Sequence, residues 1–99
     1  MQSLTPDDDT FVSLAKLYAS NHRTMSQGVG LCHADNFPGG VTNGAEWYVV
    51  KGGMQDFNYL FSNCMEITVE ISCCKYPKSE KLQVFLLFMR VGGGKCMGV

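Results

Sequence analysis

No run of eighteen apolar residues occurs in this sequence, so no stretch of it reads as a transmembrane helix. The opening MQSLTPDDDT has neither a basic start nor an apolar core, and so does not read as a signal peptide. Net charge is −1, with no cationic surplus, which gives no electrostatic reason to expect nucleic acid or an anionic membrane as partner. No CxxC pair is present, and the cysteine spacing fits no zinc ribbon or finger. The two histidines, His22 and His33, stand in no HxxE, HxxxH or HExxH spacing. Catalytic zinc takes three clustered protein ligands, so no metal site is assigned and both histidines are expected in loop or surface roles. The glycines at 39, 40 and 44 invite a phosphate-binding loop. No Lys-Ser/Thr follows them and no helix is expected to start there, which argues against it.

Ninety-nine residues allow one small domain at most, with a modest core. Five cysteines, at 32, 64, 73, 74 and 96, leave at least one unpaired within the chain. Neighbours on a strand end point apart, so a bond between Cys73 and Cys74 would be strained. Small buried thiols in a reducing compartment are one reading of this set.

The strongest helix signal covers residues 5–20. Thr5 suits the N-cap, Pro6 the first helical position, and Asp7, Asp8 and Asp9 the positive end of the helix dipole. Capping and solvation explain the three aspartates more simply than a metal site does. Phe11, Leu14, Ala15 and Tyr18 recur at the spacing of one apolar helical face. Residues 21–45 read as loop, rich in Gly, Asn and Ser. Gly39-Gly40 and Asn43-Gly44 are turn signals that would hinge a tip bearing Trp47-Tyr48. Gly52-Gly53 then turns the chain into a short packed helix over Met54–Phe61, and Trp47–Lys51 is too short to count as a strong strand.

Met65–Ile71 alternates with period two, Met65, Ile67, Val69 and Ile71 against Glu66, Thr68 and Glu70, and so predicts a strand. A rise of ~3.3 Å per residue puts Glu66 and Glu70 roughly 13 Å apart. A glycosidase carboxylate pair needs about 5–9.5 Å, so each glutamate is judged alone, with a solvated polar face as the plain alternative.

Four blocks, TPDDDTF at 5–11, FPGGVTNGAEWY at 37–48, GGMQDFNY at 52–59 and NCMEITVEISCCKYP at 63–77, together resemble the zinc metallocarboxypeptidases of the funnelin (M14) family. The nearest branch is the regulatory one that holds carboxypeptidases D, E, M and N. The likeness covers residues 1 to about 82. It implies an α/β fold, the C-terminal part of a mixed central sheet flanked by helices, incomplete in this chain. Met1 then reads as an internal methionine or the edge of a partial gene model. It further implies hydrolysis of the C-terminal residue, Lys or Arg, from peptides and proteins by zinc-activated water.

Residue by residue, the resemblance makes Glu70, 22 positions after Tyr48, the general base and acid, and it alone selects Glu70 over Glu66. Tyr48 is the tyrosine that closes over the substrate. Gln55 lines the side-chain pocket and accompanies a Lys or Arg preference, with Thr68 also placed against substrate. Cys32 and Cys73 are implied disulfide partners in a secreted or luminal protein, and Cys74 would pair with a cysteine upstream. Zinc is implied for the parent enzyme, with its ligands and the carboxylate-binding arginines all upstream of this chain.

After Leu82 the likeness ends. The relatives continue into an amphipathic helix, whereas residues 83–99 read QVFLLFMRVGGGKCMGV. Val84–Met89 is continuously apolar and three glycines follow, so 83–99 is expected to be a divergent tail with no designed element. Two function classes stand: a piece of an active carboxypeptidase, or a truncated non-catalytic product that acts as an interaction piece or has no function.

Overall fold

The computed structural model describes residues 2–28, 36–72 and 74–89. Among them the regular elements are helical: α1 (Asp8–Asn21), α2 (Gly44–Trp47), α3 (Met54–Phe61) and α4 (Leu82–Met89), with 3₁₀ turns at Met25–Gln27, Pro38–Gly40 and Ser79–Lys81.

Helix α1 begins two residues later than its sequence signals suggest. Asp7 is the N-cap, and its carbonyl accepts from Thr10 and Phe11 N–H, while Thr5 O accepts from Asp8 N–H in the turn before the helix. The Asp7 carboxylate makes no capping bond and instead accepts from Tyr59 Oη at 2.7 Å. Asp8 and Asp9 occupy the first turn, where carboxylates favour the dipole. The covered stripe runs through Phe11, Val12, Ala15, Tyr18 and Ala19. Leu14, expected on that face, is 44% exposed, so the buried side is rotated towards Val12 and Ala19. Both stripes satisfy helical spacing; what α1 packs against decides between them.

That neighbour is the pair of 3₁₀ turns, which crowd the C-terminal half of α1. Ala19 is fully buried there, and His22 beyond it is buried too. His22 Nδ1 accepts from the N–H of Thr24 (3.3 Å) and Met25 (3.1 Å), so this ring nitrogen carries no proton and the ring turns the chain out of the helix. His22 is thus a buried structural residue and not a surface one. His33 lies outside the described residues.

The two turns meet backbone to backbone. Phe37 N–H donates to Gly28 O across them at 2.7 Å, while Gly40 N–H closes its own turn on Phe37 O, also at 2.7 Å. A Cβ on Gly28 would lie 1.9 Å from Phe37 O, and one on Gly40 would lie 2.1 Å from Met25 O. Both residues have positive φ. Gly40 is therefore a wedge that allows close approach, not the hinge expected of it.

The Asn43-Gly44 signal also resolves differently: a helix does start there, the four-residue α2 with Asn43 as N-cap. The Asn43 side chain binds Ser3 through both amide atoms, donating to Ser3 O at 3.1 Å and accepting from Ser3 N at 3.5 Å. Gln2 Nε2 donates to Glu46 Oε2 beside it, so residues 2–3 lie along α2. Helix α3 has the bounds expected from sequence. It meets α1 through Phe11–Tyr59, an edge-to-face pair 5.5 Å apart, and through the Tyr59–Asp7 bond.

The expected strand Met65–Ile71 is not in a sheet. Residues 63–72 carry no regular element, and the described residues contain no strand. Side-chain exposure still alternates: Ile67, Val69 and Ile71 are half-buried, Thr68 and Glu70 exposed. The pattern of a strand is present without a neighbour to bond. Residues 83–89, expected to lack a designed element, lie in α4 (Leu82–Met89) instead. Leu, Met and Phe tolerate a helix, and the run contains neither glycine nor proline before position 92.

Candidate functional site

The candidate site is built from α3 and the chain that doubles back along it. Gly52 and Gly53 set the entry to α3, which places Gln55 in its first turn and Asn58 one turn on. These two share a helix face. After Phe61 the chain reverses: Asn58 O accepts from both Ser62 N (3.0 Å) and Cys64 N (3.2 Å), and Asn63 takes a left-handed φ of 50°. The returning segment then pairs with α3 by side chains. Asn58 Nδ2 donates to Glu66 Oε1 at 2.5 Å, and Gln55 Nε2 donates to Thr68 Oγ1 at 2.8 Å. Positions 66 and 68 belong to one face of an extended chain, so a helix face and a strand face are zipped together.

Glu70 is the next residue on that polar face. Its carboxylate makes no hydrogen bond to any described residue and is exposed. It borders an open depression of about 420 Å³ that is also lined by Val69, Ile71, Lys75, Leu82 and Leu86. Glu66 is thus occupied and Glu70 available, a distinction that alternation alone does not make.

Tyr48 follows the last turn of α2, its N–H donating to Gly44 O at 3.0 Å. Trp47 is held edge-on between Phe37 (5.1 Å) and Tyr48 (4.7 Å), so the base of the tip is anchored. Tyr48 itself is 52% exposed, and its hydroxyl bonds to no described residue. Of the site residues named from sequence, the structure brings Gln55 and Thr68 together. Neither Tyr48 nor Glu70 bonds to that pair. Cys32 and Cys73 lie outside the described residues, while Cys64 and Cys74 are exposed free thiols.

Burial raises the pKa of Tyr18. The Tyr59 phenol is also raised, first by its hydrogen bond to the Asp7 carboxylate, because losing the proton would set two negative oxygens side by side. Sequence reading passed over Asn58 and Asp7 as bonding partners. The spacing of Gln55 and Asn58 held a signal for Asn58, since two amides three apart mark a polar stripe on an otherwise aromatic helix. Nothing local links Asp7 to a residue 52 positions away.

The profile of the zinc carboxypeptidase family matches residues 1–87. The chain is 54% identical over 84 residues to mouse carboxypeptidase M, 85% of this chain and 19% of that protein. It is 58% identical over 81 residues to Drosophila melanogaster carboxypeptidase D, 82% of this chain and 6% of that protein. With the rat carboxypeptidase N catalytic chain it shares 56% identity over 81 residues, 82% of this chain and 17% of the relative. The chain therefore belongs to the zinc carboxypeptidase (M14) family, in the regulatory branch of carboxypeptidases M, D and N. It spans less than a fifth of the length of these relatives. Membership is consistent with an α/β fold.

Zinc, which the family implies, does not fit the described residues. No three His, Cys, Asp or Glu side chains among them come together as a metal-holding group. His22, the one described histidine, commits Nδ1 to two backbone N–H groups. No helix among the described residues is long and apolar enough to cross a membrane.

Proposed function

We propose that residues 1–82 form part of the catalytic domain of a zinc metallocarboxypeptidase that removes a C-terminal Lys or Arg from peptides and proteins, and that 83–99 is a divergent tail. In that domain Met65–Ile71 is a strand of a mixed sheet flanked by helices. Zinc belongs to the whole enzyme, with ligands from outside this chain. The setting is the secretory pathway, where Cys32 and Cys73 pair.

Glu70 takes a proton from the attacking water and returns it to the leaving amine, as general base and then acid. Tyr48 covers the bound peptide and excludes water. Gln55 and Thr68 line the pocket for the C-terminal side chain, and the hydrogen bond between them fixes the Gln55 amide. The observation that carries this reading is the contrast between Glu66, bonded to Asn58, and Glu70, which borders an open depression and whose carboxylate has no described partner. A base must be unencumbered when water arrives.

The test is Glu70→Gln in the enzyme that contains this segment. Turnover should fall by at least ~10²-fold with peptide binding kept, since the amide has the carboxylate's shape but cannot take the proton. A variant that keeps more than about a tenth of kcat assigns the base to another group.

The second reading is a truncated non-catalytic product that acts as an interaction piece or has no function. It predicts that the 99-residue chain alone binds no zinc at catalytic affinity and releases no C-terminal residue. Stoichiometric zinc by metal analysis of the untagged chain would overturn it.

A further inference from the structure

Helix α4 is apolar on every side: in LQVFLLFM the only polar residue is Gln83. A helix of that kind belongs in a core or in lipid. Here Leu82 (55% exposed), Val84 (48%) and Leu86 (59%) are uncovered. They do not share one face, since Val84 stands about 160° round the helix axis from the other two. Of the described elements α4 meets only the Ser79–Lys81 turn that leads into it. Leu82 and Leu86 also line the open depression with Val69, Ile71 and Pro77, so the apolar surface extends beyond the helix.

The surroundings are basic. Residues 74–99 hold five of the chain's eight Lys and Arg and one of its nine Asp and Glu, so the net charge of −1 hides a cationic segment on an anionic body. Lys75, Lys78 and Lys81 precede the helix and are exposed. Arg90 follows its last residue in sequence. Tyr76 beside them is 83% exposed, an amphipathic ring of the kind that sits at the level of lipid headgroups. Two carboxylates oppose this charge, Glu80 in the turn and Glu70 at the edge of the depression. A second copy is a poor occupant, because basic residues flank α4 at both ends and like charges would meet in a parallel or an antiparallel pair. An eight-residue helix rises only about 12 Å against a hydrocarbon core of about 30 Å, so α4 can lie in a bilayer surface but not cross it.

We propose that α4, with the basic turn before it, is a docking surface for an anionic lipid bilayer. The helix lies in the plane of the interface with Leu82, Val84 and Leu86 among the acyl chains, while Lys75, Lys78 and Lys81 meet the charged headgroups. The inference rests on α4 and its flank and not on the roles given to Glu70 and Tyr48.

The test is flotation of the full 99-residue chain with vesicles of phosphatidylcholine, alone or mixed about three to one with phosphatidylserine. The chain should float with the mixed vesicles and stay behind with the neutral ones. Raising salt from about 0.1 M to about 1 M cuts the screening length from about 10 Å to about 3 Å and should lower the bound fraction about ten-fold or more. Leu82→Ser with Leu86→Ser, and Lys75→Gln with Lys78→Gln and Lys81→Gln, should each lower it by about ten-fold or more. Leu17→Ser, which alters an equally exposed leucine on α1, should change nothing. All these side chains are exposed, so none of the changes removes core packing. No flotation, equal flotation with both vesicles, full binding by either α4-region variant, or an equal loss with Leu17→Ser overturns the proposal. Binding to polyglutamate and not to vesicles overturns it in favour of an acidic protein, and oligomers without vesicles that Leu82→Ser with Leu86→Ser disperses overturn it in favour of a second copy.

Discussion

Gln55 Nε2 donates to Thr68 Oγ1 at 2.8 Å, joining two residues thirteen positions apart across the turn that follows α3. Each belongs to a different periodicity, 3.6 for the helix and 2 for the segment, and the bond sets their register. Together with Asn58–Glu66 it fixes which carboxylate of the polar face is spoken for.

Thr68→Val keeps the side chain's shape and removes the acceptor for Gln55. In the enzyme that contains this segment, KM for peptides ending in Lys or Arg should rise about 2- to 10-fold with kcat little changed, the size of one net hydrogen bond. Thr68→Ser should restore KM. Steady-state kinetics on matched Lys- and Ala-terminated peptides checks this, and an equal loss on both substrates would remove Thr68 from specificity.

Asn58→Ala should destabilise the protein by about 1.5 kcal/mol, the low end for a hydrogen bond to a charged group because the pair is only half-buried. Glu66→Gln should cost less, since an amide oxygen still accepts. The double variant should cost less than the two single changes added together, because both act on one bond. Denaturant unfolding measures all three, and strict additivity would mean the contact is not formed.

Gly40→Ala and Gly39→Ala separate conformational cost from steric cost. Both positions have φ near +72°, where an alanine costs about 1–2 kcal/mol. At Gly39 a Cβ meets nothing within 4 Å, but at Gly40 it would lie 2.1 Å from Met25 O. Gly40→Ala should therefore be clearly the worse in denaturant midpoint. Equal effects would show that the two 3₁₀ turns do not pack as described.

The Tyr59 phenol holds its proton more tightly when folded than its ordinary value of 10.0 allows, through its bond to Asp7. The sign follows: its contribution to stability is complete below about pH 10 and is lost as pH climbs through the raised folded value. Asp7→Asn should lower the midpoint of Tyr59 ionisation, read from phenolate absorbance against a Tyr59→Phe reference. No change on that substitution would separate the two residues.

The sequence by itself determined the family, through four ordered blocks, and the bounds of α3, where glycines end one turn and an aromatic run begins a helix. It also determined the alternation of residues 67–71, because side-chain period is a property of the extended backbone. Tertiary structure decided what had no local cause. Which stripe of α1 is covered depended on the 3₁₀ turns it meets, and the Asp7 carboxylate found its partner in a tyrosine 52 residues away. Whether 65–71 becomes a strand depended on a neighbour: alternation marks two faces, but a ladder needs hydrogen-bonding partners at the edge, and the described residues supply none. The surroundings of Glu66 and Glu70 went the same way. Both sit on one polar face in sequence, and only the return of the chain along α3 gives one of them to Asn58 and leaves the other open.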